Sequence, residues 1–174
     1  MTFGFYKLFE NAIIPSYGTD QSACFDIAAH LMDEKGVARN IKVVTDILTV
    51  HPEYPNPYEN TLSFNLQAGY TALIPTGLIA KIPQGYSLRT HVRSGIAMKR
   101  GLYLPNGEGI IDSDYFDELF LMVKNASKSV VSIKHGERIC QGEWVPVLRF
   151  PIEEIHTRPE QTTNRAGGFG STGV

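Results

Sequence analysis

The sequence predicts an all-β protein, folded as a sandwich or a barrel. Short segments of alternating apolar and polar residues recur along the chain and are separated by Gly and Pro. This spacing is typical of all-β sandwiches and barrels and not of alternating βαβ units. One stretch, residues 93–102, favours a helix because it contains a run of helix formers. The length of 174 residues and the hydrophobic fraction of 43% predict one domain, residues 1–174, with a packed core.

The composition excludes several classes of protein. A net charge of −2 argues against a generally basic nucleic-acid binder. No run is long and apolar enough to span a membrane. The N-terminal stretch lacks a basic region followed by an apolar run, so a cytoplasmic protein is expected. Cys24 and Cys140 have no metal-binding spacing and are interpreted as small buried hydrophobes in a reducing compartment. The five histidines are scattered, which argues against a structural zinc site.

The first part of the chain contains predicted strands at 2–14, 23–29 and 41–50. Asp26 interrupts the second strand, and a buried carboxylate is costly unless it is paired, hydrogen-bonded or bound to a cation. Asp26 either has such a partner or caps backbone N–H groups at a bulge. Residues 51–60 contain three prolines and are expected neither to continue a strand nor to begin a long helix.

The helix predicted over 93–102 interrupts a series of short strands. Ser94 can cap the start of this helix. Arg93 and Ser94 then form a candidate phosphate site, because free N–H groups and the helix dipole favour anions there. The alternative is a connector whose basic residues face water. The strands around it are bounded by Gly, Pro and polar turns and are predicted at 61–66, 69–73, 78–82, 86–92, 128–133 and 139–148.

Residues 107–125 are interpreted as a strand–turn–strand unit around which the rest of the chain is organised. Two apolar runs flank a polar centre that contains Asp112, Asp114 and Tyr115. Carboxylates at such a junction can hold a metal or a water, and the aromatic ring can form the wall of a pocket. The alternative is a solvated turn, since Asp and Ser favour turns for backbone reasons alone.

The Gly-rich ending, residues 165–174, allows two readings. An ending of this composition is commonly a disordered tail. The alternative is a flexible arm that closes over a ligand. In that reading Phe169 stacks on a ring, the glycine N–H groups reach phosphates and Arg165 adds positive charge.

Five short motifs together resemble the trimeric dUTP nucleotidohydrolases (dUTPases). They occur in the order of that family and cover nearly the whole chain. They are ACFDIAA at 23–29, RSGIAMKRGL at 93–102, NGEGIIDSDY at 106–115, GERICQ at 136–141 and GGFGSTG at 167–173.

The resemblance implies a jelly-roll-like β-barrel with one short helix and a flexible Gly-rich C-terminal arm, residues 160–174. It implies hydrolysis of dUTP to dUMP and pyrophosphate by attack of water on the α-phosphate. That reaction limits dUTP and supplies dUMP for thymidylate synthesis. The family also implies Mg²⁺, which prefers phosphate oxygens and water, and a homotrimer whose active sites draw motifs from different subunits.

The resemblance assigns roles to individual residues. Asp112 would orient and deprotonate the attacking water, and Tyr115 would pack on the deoxyribose and leave no room for a 2′-hydroxyl. Asp26 would act near the metal through water. The uracil would meet Asn106, the hairpin backbone at Gly109 and Ile111, and the ring of Phe169. The triphosphate would be held by Arg93, Ser94, Gly95, Gln141, Arg165, Gly170 and Ser171.

Several positions depart from the family pattern. Phe116 and Asp117 stand where the family has Arg or Gln and then Gly, and Val92 replaces a frequent proline. In the fifth motif the expected Arg position is Asn164, and Arg165 follows it. Residues 35–60 exceed the usual loop after the first motif. We expect this Pro-rich excursion to lie on the surface and to touch neither the chemistry nor the substrate.

Two alternative functions stay open at this stage. A dCTP deaminase shares the fold and the Arg-Ser and Ile-Asp signatures but needs a catalytic Glu where this chain has Met122, and Glu118 lies out of register. A non-catalytic relative would keep the pocket for nucleotide sensing or protein binding. The longer loop and the altered fifth motif favour that second alternative, whereas Asp112 and Phe169 argue against it.

Overall fold

The computed structural model describes residues 1–46, 49–53, 62–164 and 167. It confirms the all-β class. Strands precede and follow one short helix, α1 (Ser94–Arg100). The strands are β1 (Gly4–Lys7), β2 (Ser16–Tyr17), β3 (Phe25–Ala28), β4 (Ile41–Asp46), β5 (Thr49–Glu53), β6 (Ser63–Leu66), β7 (Thr71–Pro75), β8 (Leu78–Lys81), β9 (Tyr86–Val92), β10 (Leu102–Tyr103), β11 (Gly109–Ile111), β12 (Phe120–Asn125), β13 (Val131–Lys134) and β14 (Arg138–Pro146).

Two five-stranded antiparallel sheets carry most of the architecture. One has the order β10-β12-β7-β4-β5 and the other the order β11-β9-β14-β3-β2. Two smaller sheets pair β1 with β8 and β13 with β6. Among the described residues, no helix is long and apolar enough to cross a membrane.

The hydrophobic core unites strands of all four sheets. In β12, Leu121 and Val123 are buried whereas Phe120 and Met122 are exposed, which is the two-residue period expected of a strand with one buried face. The largest fully buried side chains include Ile27, Ile41, Phe64, Leu66, Ile74, Leu78, Leu88, Leu102, Leu121 and Ile133.

An aromatic cluster around Trp144 packs against the first strand, which is shorter than expected. Only Gly4–Lys7 of residues 2–14 is a strand, where it pairs with β8. Phe3 and Phe5 lie with their ring centroids 5.0 Å and 5.5 Å from that of Trp144, and Phe25 lies at 5.3 Å. The strand ends at Lys7 because the chain then turns, and the Ala12 N–H donates to Phe9 O at 3.0 Å. The two cysteines differ in burial. Cys140 is buried as expected, but Cys24 is only partly buried.

The segment that was expected to be a surface excursion contributes to the sheet. In β4, Ile41 and Val43 are buried in the core, so a surface location is wrong for these residues. Residues 51–60 are predicted not to continue a strand. This prediction is wrong for residues 51–53, because β5 includes Pro52 and ends at Glu53. The outermost position of β5 among the described strands explains this result, since edge strands tolerate proline. Residues 54–60 lie outside the described residues.

Candidate active site

A first cleft, which we call the carboxylate cleft, gathers the predicted residues of the third motif. It has a volume of about 330 Å³. Antiparallel pairing of β11 with β9 places the hairpin beside the cleft, and the turn after β11 supplies the carboxylate. Its predicted lining residues are Asn106, Gly109, Ile111, Asp112 and Tyr115, and its other lining residues are Leu73, Thr90, Leu104, Ile110, Leu119, Phe120 and Met122.

Close backbone approach is built into this cleft at Gly109, which pairs with Thr90 of β9. A Cβ atom added to Gly109 would lie 2.1 Å from Thr90 Oγ1, a distance that real side chains do not reach. Thr90 is itself buried, so it is enclosed by its surroundings. The position therefore requires glycine for space.

Tyr115 is held within the turn by two hydrogen bonds. Its backbone N–H donates to Asp112 O at 3.2 Å, and its hydroxyl donates to Glu118 O at 2.9 Å. Burial raises the pKa of the Tyr115 phenol, and the negative charges of Asp117 and Glu118 raise it further. The phenol therefore stays protonated at neutral pH and remains a hydrogen-bond donor.

A second cleft, which we call the basic cleft, gathers the predicted residues of the first, second and fourth motifs. It has a volume of about 620 Å³. Pairing of β3 with β14 sets Asp26 opposite Gln141, and α1 begins beside them. The lining residues are Gly18, Ser22, Ala23, Cys24, Asp26, Arg93, Ser94, Gly95, Ile96, Lys99, Arg100 and Gln141.

Asp26 has ionic partners, and no backbone N–H of the described residues donates to its carboxylate. Arg93 Nε lies 2.9 Å from Asp26 Oδ1, and Arg138 Nη1 lies 3.0 Å from Asp26 Oδ2. The Asp26 side chain is only 14% exposed, so the two guanidinium groups offset the cost of burying its charge. The pairing of Arg138 with Asp26 was not predicted from the sequence. The position of Arg138 within the GERICQ motif could have indicated a role in the site.

The predicted cap at Ser94 is wrong. Helix α1 begins at Ser94, and its N-cap is the extended residue Arg93, which makes no side-chain capping bond. The helix ends at Arg100, and its C-cap is Gly101, whose positive φ of 66° suits a left-handed cap; Gly101 N donates to Ala97 O at 3.0 Å. Ser94 is exposed and lines the basic cleft.

The two clefts are separate within the described chain, because their lining residues do not overlap. Strand β9 supports both clefts. Thr90 in this strand lines the carboxylate cleft, and Arg93, the residue directly after the strand, lines the basic cleft. The predicted arm residues Arg165, Phe169, Gly170 and Ser171 lie outside the described residues.

Two positions bear on the deaminase alternative. Met122 lines the carboxylate cleft, and its thioether cannot transfer protons. The carboxylate of Glu118 is occupied elsewhere, because it accepts hydrogen bonds from Arg39 and from the backbone N–H of Gly77.

A metal would need ligands beyond the side chains of the described residues. Within the described part of the chain there is no group of three or more His, Cys, Asp or Glu residues that could hold an ion. The single carboxylate in the basic cleft, Asp26, fits the way in which Mg²⁺ is usually bound, through few protein carboxylates together with phosphate oxygens and water.

A carboxylate cleft with an aromatic ring and a separate cleft lined by arginines together define an all-β protein suited to a phosphorylated organic ligand. Comparison with known proteins makes this class specific. A family model described as dUTPase matches residues 59–173, which is more than half of the chain. The chain belongs to the dUTPase family, which confirms the resemblance of the five motifs.

One curated relative supports this assignment, and two solved structures share the fold. The deoxyuridine 5'-triphosphate nucleotidohydrolase of Caulobacter vibrioides is 30% identical over 161 residues, which cover 92% of this chain and 86% of that protein. A variant dUTPase of Staphylococcus bacteriophage 80alpha, solved with dUpNHpp, has a TM-score of 0.69 at 22% identity and covers 99% of both chains. A variant dUTPase from phage phi11 of S. aureus, described as revealing the coordination of a structural Mg(II) ion, has a TM-score of 0.67 at 19% identity and covers 92% of this chain and 100% of that one.

Proposed function

We propose that this chain hydrolyses dUTP to dUMP and pyrophosphate by attack of water on the α-phosphate. The observation that carries the proposal is the position of Asp112, which follows β11 and lines the same cleft as Asn106, Gly109 and Tyr115. A carboxylate there can accept a hydrogen bond from a water and take its proton as the water attacks. The reaction would limit dUTP and supply dUMP for thymidylate synthesis.

The carboxylate cleft would bind the nucleoside. Asn106 and the backbone at Gly109 and Ile111 would meet the uracil edge, and a tight approach of this backbone to the ring would exclude a thymine methyl. The ring of Tyr115 would pack on the deoxyribose and leave no room for a 2′-hydroxyl.

The basic cleft would bind the triphosphate. Arg93, Ser94, Gly95 and Gln141 all line it, and charge-assisted bonds from guanidinium to phosphate are among the stronger hydrogen bonds in proteins. A bound Mg²⁺, held through water near Asp26 as well as by the phosphates, would neutralise part of the phosphate charge.

The separation of the two clefts supports a homotrimer with shared active sites. One nucleotide must meet the groups of both clefts, and the clefts of a single chain share no lining residue. A second copy would place its basic cleft against the carboxylate cleft of the first. The arm, with Arg165, Phe169, Gly170 and Ser171, would complete the site.

The proposal is tested with Asp112→Asn, which keeps the size of the side chain and removes the base. We expect the variant to bind dUTP nearly as tightly as the parent chain and to lose about 10²- to 10⁴-fold in kcat, the range that general base catalysis contributes. Asp117→Asn is the matched control, because it makes the same chemical change at an exposed position of the same loop. Its turnover should stay close to that of the parent.

The readouts are pyrophosphate release from dUTP with Mg²⁺ and calorimetric binding of a non-hydrolysable analogue. A parallel loss of binding and rate in Asp112→Asn would make Asp112 a structural residue. Binding of dUTP by the parent chain without turnover would favour the non-catalytic alternative, and ammonia from dCTP would favour the deaminase.

A further inference from the structure

A partly buried ion pair lies directly behind the turn that carries Tyr115. Arg39 donates to both carboxylate oxygens of Glu118, from Nη1 to Oε1 at 2.7 Å and from Nη2 to Oε2 at 2.5 Å. The side chains are 16% and 12% exposed. A two-pronged pair of this kind fixes orientation as well as distance, because both groups are planar. Glu118 Oε1 also accepts from Gly77 N at 2.6 Å, which ties the carboxylate to the β7–β8 turn.

Glu118 connects this ion pair to the nucleoside half of the proposed site. Its backbone oxygen accepts the hydrogen bond from the Tyr115 hydroxyl at 2.9 Å. The next residue, Leu119, donates from its N–H to Leu78 O at 2.8 Å and is buried. Glu118 is therefore held through its side chain and through the following peptide, and the acceptor for Tyr115 is held with it.

Arg39 is placed by its own set of contacts. Its guanidinium lies 4.6 Å from the ring centroid of Phe9, and its Nη1 lies 3.2 Å from His30 Nδ1 and donates to His30 O at 3.4 Å. Because Nε2 of His30 lies 2.9 Å from Asn11 Oδ1, the neutral ring can donate there and accept from Arg39 at the other nitrogen. The arginine is thus oriented before it meets Glu118.

We propose that Arg39 and Glu118 are positioning residues that hold Tyr115 in place and so set the discrimination between deoxyribose and ribose nucleotides. This inference rests on the proposed function, in which the ring of Tyr115 excludes the 2′-hydroxyl. It gives a role in substrate selection to a residue of the 35–60 segment, far in sequence from the carboxylate cleft. It also explains how the turn tolerates Phe116 and Asp117, since Phe116 is 74% exposed and the anchor of the turn is the residue that follows them.

The experiment measures kcat/KM for dUTP and for UTP in the parent chain and in Arg39→Lys and Glu118→Gln. Arg39→Lys keeps the charge but cannot make the paired hydrogen bonds, and Glu118→Gln keeps an acceptor for Gly77 but removes the charge. We define the ratio as kcat/KM for dUTP divided by kcat/KM for UTP. We expect this ratio to fall by about 10- to 100-fold in both variants, since a displacement of about 1 Å in a positioning group can cost that much. A double variant should fall no further than the worse single one, because both changes release the same acceptor.

Asn11→Ala is the matched control. It removes bonds to His30 and to Met32 O at the far side of the same network, and it leaves the Arg39–Glu118 contact in place. We expect Asn11→Ala to lower Tm and to lower the ratio less than Arg39→Lys does, because the paired hydrogen bonds from Arg39 to Glu118 remain. Breaking a buried pair can also destabilise the chain, so Tm is measured for each variant and the assay is run well below the lowest value.

The outcomes separate the two proposals. No product from dUTP in the parent chain would refute the proposed function. Hydrolysis of dUTP with rejection of UTP in the parent, and the same ratio in Arg39→Lys and Glu118→Gln, would refute the positioning role alone. Equal losses for both substrates, with the ratio unchanged, would reduce the pair to a structural element and also overturn the inference.

Discussion

Replacing Gly109 by Ala tests the close approach at the base of the carboxylate cleft. The added methyl group would lie 2.1 Å from Thr90 Oγ1 and 3.5 Å from Thr90 Cβ. Either the hairpin or Thr90 must move, and Thr90 is buried and β-branched, so its rotamer is restricted. Overpacking of this kind costs about 1–3 kcal/mol. If the hairpin moves, the same free energy appears as a loss of about 5- to 150-fold in kcat/KM for dUTP.

A second substitution identifies the cause. Thr90→Ala removes Oγ1 and leaves only the ordinary contact at 3.5 Å, whereas Thr90→Val keeps a branch in the same place. We expect Gly109→Ala with Thr90→Ala to recover most of the parent kcat/KM, and Gly109→Ala with Thr90→Val to recover none. Steady-state kinetics with dUTP give the measurement, and Tm shows whether each variant is folded.

Two results would refute this reasoning. Parent-like kinetics in Gly109→Ala would mean that the cleft adapts to the methyl group and that the approach of β11 to β9 does not control binding. Equal recovery by Thr90→Ala and Thr90→Val would mean that Oγ1 is not the obstacle.

Three further predictions concern stability and reactivity. Burial, followed by the charge of Arg39, lowers the pKa of His30 to about 4. The folded state therefore favours the neutral ring, and the free energy of unfolding should fall by up to about 3 kcal/mol as pH drops from 6.5 to 4. Urea unfolding at several pH values measures this free energy. An unfolding free energy that does not change with pH would contradict the prediction. Phe64→Ala should cost about 3–5 kcal/mol of unfolding free energy, because Phe64 is fully buried in the core; a loss under 1 kcal/mol in urea unfolding would count against that packing. Burial raises the pKa of the Cys140 thiol to about 12, so a thiol reagent at pH 8 should label Cys24 first, as peptide mapping would show.

Local patterns in the sequence predicted the strands best where their alternation was strong and their ends were marked. Strand β9 has the predicted bounds, Tyr86–Val92, because Pro83 and Gly85 end the preceding segment. Strands β2 and β10 were not predicted, since two residues carry no measurable period. The first strand was overestimated because the chain turns after Lys7, where the Ala12 N–H donates to Phe9 O.

The candidate site shows the same division between local and distant information. Residues within one motif, such as Asp112 and Tyr115, line one cleft because a single turn joins them. The pairing of Asp26 with Arg138 and of Arg39 with Glu118 could not be predicted, because the partners are 112 and 79 residues apart and come together only through the fold. Contacts between side chains that lie far apart in the sequence become evident only in the three-dimensional structure.

The proline in β5 has a consequence for the behaviour of the chain at high concentration. Among the described strands β5 is the outermost of its sheet, and such a strand offers unpaired backbone groups to another molecule. Pro52 has no backbone N–H, so it interrupts the row of donors that a second chain would need for continuous pairing. We therefore expect Pro52 to reduce edge-to-edge aggregation. A chain with a β-branched residue at this position should have a lower solubility limit.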